Sequence, residues 1–126
     1  MKRWKGKVAI VTGASAGIGA AIVEQLVDAG LQVPNTHPRF LPTQKTPFQV
    51  DISKEEDILA GFKWVSEKLG PVSILINNAG VLPNSTLVDG STEEWKKVFD
   101  TNVMGLCVAT REAVKIMKAN RIDGHI

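Results

Sequence analysis

The chain has 126 residues, enough for one domain with a modest core, and 44% of them are apolar. Its net charge of +2 is spread along the chain, and the one basic cluster, Lys2, Arg3, Lys5 and Lys7, is too short for a nucleic-acid partner and reads as a solvated N-terminus. No apolar run approaches the ~20 residues of a membrane helix, and Met1–Lys7 lead into a strand-like run instead of a signal peptide's apolar region, so a soluble cytoplasmic chain is expected.

Val8-Ala9-Ile10-Val11, bounded by Gly6 and Gly13, reads as a strand buried on both faces. Ile18, Ile22, Leu26 and Ala29 follow at helical spacing, with Gly30 as the stop. Leu31-Gln32-Val33 begins a second strand. Pro34, Pro38, Pro42 and Pro47 then forbid a helix, and an irregular loop is expected. Phe48-Gln49-Val50-Asp51 reads as a further strand, and Ser53 with Glu56 as a capping box for a helix with Ile58, Phe62, Val65 and Leu69 inward. Gly70-Pro71 ends that helix, and Val72–Ile76 is another buried strand. Val81–Gly90 is a loop. Ser91 and Glu94 form a second capping box, opening a helix that carries Trp95, Val98, Phe99, Asn102, Leu106 and Ala109 on one side and runs to about Lys118. On it, Cys107 lies between Leu106 and Val108 and is expected to be a buried small residue, not a nucleophile; as the sole cysteine it excludes an internal disulfide. Gly124-His125-Ile126 is the first step of another strand.

This alternation predicts an α/β fold, a doubly wound parallel sheet with helices on both faces. Residues 1–126 form one dinucleotide-binding-type domain that is incomplete: it stops after its long last helix, and a Pro-rich loop replaces the second crossover helix. Ligands in such sheets bind at the carboxyl ends of the strands. Thr12–Gly19, Asp51 and Asn77–Gly80 all fall there.

Thr12-Gly13-Ala14-Ser15-Ala16-Gly17-Ile18-Gly19 joins the first strand to the first helix. A pyrophosphate bound there needs bare backbone N–H groups at a helix N-terminus, where the dipole favours negative charge, and side chains would hold it off. The alternative is a turn that is merely glycine-rich; its place after a buried strand and before a helix favours the phosphate cradle.

The G-x-x-x-G-x-G spacing resembles the glycine motif of the short-chain dehydrogenase/reductase family. Three further matches follow in the family's order. Asp51-Ile52 resembles the pair that holds the adenine ring. Asn77-Asn78-Ala79-Gly80 resembles the motif whose backbone borders the cofactor ribose. Asn102, in Thr101-Asn102-Val103, resembles the catalytic asparagine that holds a water in the proton relay. Bland readings stand beside two of these: Asp51 as a helix-entry acid, and Asn102 as a structural amide. The N-terminal segment and Ser91–Trp95 are most similar to the group of insect farnesol-dehydrogenase-like enzymes and dehydrogenase/reductase SDR family member 11. The resemblance implies NADP(H), with NAD(H) the alternative. It also implies an oxidoreductase acting on a small apolar alcohol or ketone, isoprenoid or steroid-like, and self-association through the Thr92–Lys118 helix.

Two departures qualify that reading. Only 14 residues separate Val33 from Phe48, where the family has a completed strand, a 2′-phosphate-binding base, a helix and the start of the third strand. His37 and Arg39 are the only basic candidates there before Lys45. The missing helix is expected to uncover part of the sheet. The family's catalytic serine, tyrosine and lysine also lie past the last helix, and this chain contains no tyrosine at all. General acid–base help is worth about 10²–10⁴-fold, so the isolated chain is expected to be almost silent. The alternative is a catalytically inactive dinucleotide-binding fragment, or a partner of full-length subunits.

Overall fold

A computed structural model describes residues 2–34 and 49–126. Its centre is a parallel pair, β1 (Val8–Val11) and β2 (Val72–Ile76), with Ile10 opposite Leu75 and Val11 opposite Ile76. Single parallel bridges extend the pair on both sides, Val8 with Gln32 and Ile74 with His125. The start of a strand expected at the chain end is therefore in place, with the His125 amide donating to the Ser73 carbonyl at 3.0 Å.

The second strand goes no further than its bridge, for a local reason. Gln32 donates to the Lys7 carbonyl and accepts from the Ala9 amide, each at 2.9 Å. The next residue facing β1 is Pro34, which has no N–H to give, so the ladder stops. The strand expected at Phe48–Asp51 is absent from its described part. Gln49, Val50 and Asp51 are exposed and outside any strand, since no extended second strand offers them an edge. Phe48 and the loop beyond Pro34, with His37, Arg39 and Lys45, lie outside the described residues.

Helices cover both faces of the pair. α1 (Gly17–Asp28) lies on one, where Ala9, Leu31 and Ile74 pack with Leu26 and Ala29. α2 (Glu55–Lys68) and α4 (Leu106–Ala119) lie on the other, where Ile58, Phe62, Val72, Leu75, Val108, Ala109, Ala113 and Met117 form the main core. The alternation of strand side chains divides the two sets, Ala9 and Ile74 to one side, Ile10 and Leu75 to the other. Ala9 and Leu75 are fully buried at the sheet centre; among the described residues, exposed apolar side chains include several on the 81–88 loop and the last helix.

Helix ends follow local chemistry. Gly30, at φ +86°, lets the Gly30 and Leu31 amides cap the Val27 and Leu26 carbonyls, which closes α1. The α1 stripe holds at its C-terminal end, where Leu26 and Ala29 pack inward, but not at its start: Ile18 is 76% exposed, while Gly19 and Val23 are buried. Close contact of the first turn with the preceding loop demands a glycine on the inner line. At α2 the inward line of Ile58, Phe62 and Val65 is as expected, but the Ser53 capping box does not form. Lys54 is the N-cap, and the Ser53 hydroxyl donates instead to the Asp51 carboxylate at 2.6 Å. The second capping box does form, Ser91 Oγ accepting from the Glu94 amide at 3.2 Å.

The last helix is three pieces in line: α3 (Thr92–Phe99), a π-helical turn (Asp100–Gly105) and α4. Its buried line is Gly105, Val108, Ala109, Ala113 and Met117. The expected apolar side is displaced, with Trp95, Phe99 and Leu106 at 37%, 62% and 43% exposure. Small residues occupy the seam because the helix sits close on its neighbours. Cys107, expected to be buried, is exposed for the same reason: Val108 and Ala109 take the inner positions.

Candidate functional site

The glycine segment leaves β1 at Thr12 and enters α1 at Gly17. Thr12 organises its junction with the end of β2. Its hydroxyl accepts from the Asn78 and Ala79 amides, both at 3.0 Å, and reaches the Ile76 carbonyl at 3.5 Å. Asn78 answers with its side chain, Nδ2 donating to the Thr12 and Gly13 carbonyls at 3.1 and 3.2 Å. The Asn78 and Ala79 N–H groups thus face Thr12, and the outer rim of this stretch is left to carbonyls and Gly80.

The knot explains two glycines. A Cβ on Gly13, at φ +66°, would stand 2.9 Å from the Ala79 Cα. One on Gly19 would overlap the Gly13 carbonyl oxygen and come within 2.5 Å of Asn78 Nδ2. Gly17 differs. Its φ of +58° disfavours a side chain, yet a Cβ there meets nothing within 4 Å. Ala16, the N-cap, gives no side-chain hydrogen bond to the helix amides. The space beside Gly17 is open, and no side chain caps the positive end of this 12-residue helix. Ala14 is half-buried, and Ser15, Ala16 and Ile18 line the exposed rim. Beside the segment opens a cleft of about 580 Å³, bounded by Thr12–Ser15 and by Val50, Ile52, Phe62 and Trp64. That is ample for a small-molecule site. The anion-cradle residues and the apolar wall fit a dinucleotide.

Asp51 is exposed, between Val50 and Ile52, which line this cleft. Its Oδ1 accepts from the Ser53 amide at 3.0 Å and from the Ser53 hydroxyl. That hydroxyl, then the amide, holds the carboxyl below its ordinary value of 3.8. Both bonds use Oδ1 and go to Ser53, ahead of the Lys54 N-cap, so Asp51 shapes the turn before α2 without capping the helix itself.

Asn102 lies in the π-turn, across from Gly80. Its Oδ1 accepts from the Val81 amide at 2.8 Å and its Nδ2 donates to the Val81 carbonyl at 2.9 Å. The amide side chain therefore anchors the loop after β2, and one lone pair and one N–H remain for another partner. Asn77 points to the α4 side, its Nδ2 donating to Thr110 Oγ1 at 3.0 Å; its Oδ1 is buried without a protein partner. Sequence reasoning singled out the Thr12–Gly19 and Asn77–Gly80 segments but not the hydrogen-bonding roles of Thr12 and Asn77, and it passed over Thr110 and Gly105. Thr12 heads the glycine motif and Gly105 follows Asn102 by three residues, so proximity to the motifs was their only signal.

Among the described residues no group of three His, Cys, Asp or Glu side chains could hold a metal, and no helix is long and apolar enough to cross a membrane.

A family model for short chain dehydrogenases matches residues 7–126. The chain is 44% identical to the farnesol dehydrogenase of Aedes aegypti, over all of this chain and 57% of that protein. It is 40% identical to the dehydrogenase/reductase SDR family member 11 of Homo sapiens, over all of this chain and 54% of that one. Identity to the NADP-dependent (R)-specific alcohol dehydrogenase of Lentilactobacillus kefiri is 35%, over 98% of this chain and 54% of that one. The aldohexose dehydrogenase of Thermoplasma acidophilum superposes with a TM-score of 0.78 at 32% identity, over 91% of this chain and 46% of that structure. The chain spans about half the length of the curated relatives it matches. The 140-position alignment with the mosquito protein is fourteen positions longer than the chain.

Proposed function

Because the chain belongs to the short-chain dehydrogenase/reductase family, we propose that its glycine segment and the ends of β1 and β2 bind NADP(H), with NAD(H) the alternative. The observation that carries this reading is Gly17: open space above a left-handed backbone, at the uncapped N-terminus of α1. The amides of Gly17, Ile18 and Gly19 hold the pyrophosphate charge, Gly13, Ala14, Ser15 and Ala16 shape the rim, and Asp51 and Ile52 take the adenine. Asn78, Ala79 and Gly80 border the ribose with their backbone. When bound, the nicotinamide supplies or accepts a hydride. Asn102 keeps the 79–81 stretch in place through Val81 and offers its remaining amide capacity to a water on the proton path.

The substrate class in this proposal is a small apolar alcohol or ketone, isoprenoid or steroid-like. It rests on likeness to the farnesol dehydrogenase and to family member 11. The NADP preference rests on the same likeness and on the bacterial NADP-dependent relative. A cytoplasmic location belongs to the same reading. The 126 residues contain no tyrosine to exchange a proton with the substrate oxygen. The chain alone is therefore expected to bind the dinucleotide and to turn over no ketone above solvent background; hydride transfer by the purified chain would overturn that expectation. Self-association through the Thr92–Lys118 helix is the second part of the proposal. The exposed Phe99, Val103, Met104 and Leu106 on that helix favour it.

The test of the cofactor site is calorimetric titration of NADPH into the chain and into Gly17→Val. Saturable binding lost in the variant is expected. Equal affinity in a folded variant would remove the phosphate cradle.

A further inference from the structure

Gly105 closes the π-turn, is buried, and meets the Asp51–Ile52 turn. A Cβ at this position would overlap the Ile52 carbonyl oxygen and stand 2.9 Å from Ile52 Cγ1 and 3.3 Å from the Ile52 carbonyl carbon. The first obstacle is backbone, so rotating a side chain brings no relief. Only movement of the helix or of the turn would make room.

The turn's own bonds are local. Asp51 Oδ1 holds Ser53, the Lys54 amide donates to the Asp51 carbonyl at 3.0 Å, and Asp57 Oδ2 accepts from the Asp51 amide at 3.0 Å. They fix its shape against the start of α2. Its seat against the rest of the site comes from elsewhere: Gly105 brings up the helix that also carries Asn102, and Asn102 holds Val81 through two hydrogen bonds. A single π-turn of six residues thus touches both Ile52 and the loop after β2. π-turns of this kind recur at functional sites.

We propose that Gly105 is a positioning residue for the adenine end of the dinucleotide site, setting where the Asp51–Ile52 turn stands relative to the glycine segment. The inference rests on the assignment of Asp51 and Ile52 made above. Gly105 touches no ligand itself. Its effect is specific to the base, since the phosphate cradle at Gly17 is built by a different knot, that of Thr12 and Asn78.

The test compares two probes, ADP-ribose and inorganic pyrophosphate, on the wild-type chain and on Gly105→Ala. Circular dichroism and thermal melting report the fold. ADP-ribose affinity is expected to fall about tenfold in the variant, with pyrophosphate affinity unchanged. A purely structural role would lower the melting temperature and leave the ratio of the two affinities as it was, and that result overturns the proposal. If the wild-type chain binds pyrophosphate but not ADP-ribose, the adenine assignment fails and takes this inference with it. Should Gly105→Ala not fold, the Gly105 amide resonance of the wild-type chain decides. It is expected to shift with ADP-ribose and not with pyrophosphate; no shift with either, or an equal shift with both, contradicts the proposal.

Discussion

At the scale of single residues, the site is held by a few side chains working on backbone. Thr12 is the most heavily used. Replacing it with valine keeps the shape but leaves the Asn78 and Ala79 amides without their acceptor. A lost partner for a buried donor costs about 1–3 kcal/mol. Thr12→Val is expected to destabilise the chain by about 2–3 kcal/mol in urea unfolding, and Thr12→Ser by much less; equal losses would deny the hydroxyl its role. Asp51 gives a pH signature. Its folded pKa lies below 3.8 because Ser53 bonds to the ionised form. A depressed carboxyl contributes stability that is fully present above its unfolded value and lost as pH falls through the folded one. The stability gap between wild type and Asp51→Ala should hold steady through the neutral range and close only below 3.8. A gap that closes near neutrality would place its origin elsewhere.

The glycine motif was legible from sequence because its residues are consecutive and sit between a buried strand and a helix. The partners of that motif were not legible. Asn78 bonds to Gly13 across 65 positions, and Gly105 meets Ile52 from another helix, contacts that no local pattern encodes.

At the scale of elements, capping separates what a motif allows from what it does. Ser91 and Glu94 complete their box, while Ser53 turns to Asp51. An N-cap serine is worth about 1 kcal/mol over alanine. Ser91→Ala should therefore cost about 1 kcal/mol of unfolding free energy through its helix. Ser53→Ala should instead act on the Asp51 turn, and its cost should vanish in an Asp51→Ala background. An undiminished Ser53→Ala cost in that double variant would restore the capping role. Strands were read correctly where they are buried on both faces, at 8–11 and 72–76. The second strand shrank to one bridge because Pro34 falls at the position that must donate to Ala9. The last helix was found, but its phase was not. The sequence pattern follows its largest apolar residues, whereas the seam is lined by Gly105, Ala109 and Ala113 so that the helix can sit close.

At the scale of the molecule, those displaced large residues become surface. Phe99, Val103, Met104 and Leu106 on the helix, with Leu82, Leu87 and Val88 on the preceding loop, are exposed apolar side chains. If copies pair through the helix, Phe99→Asp shifts sedimentation toward monomer at fixed concentration without changing helix content. An unchanged sedimentation profile would argue against pairing there. The family and the alternating order were both readable from motifs in chain order. The cleft beside Val50 and Trp64 was not, because its walls come from α2 and the glycine segment together.

The central claim is that these residues form a dinucleotide site whose anion cradle is the bare helix start at Gly17. Titration of NADPH into the wild-type chain tests it most directly, with Gly17→Val as the control and circular dichroism as the measure of folding. The account predicts saturable binding by the wild-type chain and its loss in a variant that keeps its helix content. A folded wild-type chain that binds no dinucleotide, or a folded Gly17→Val chain that binds as well as the wild type, would contradict it.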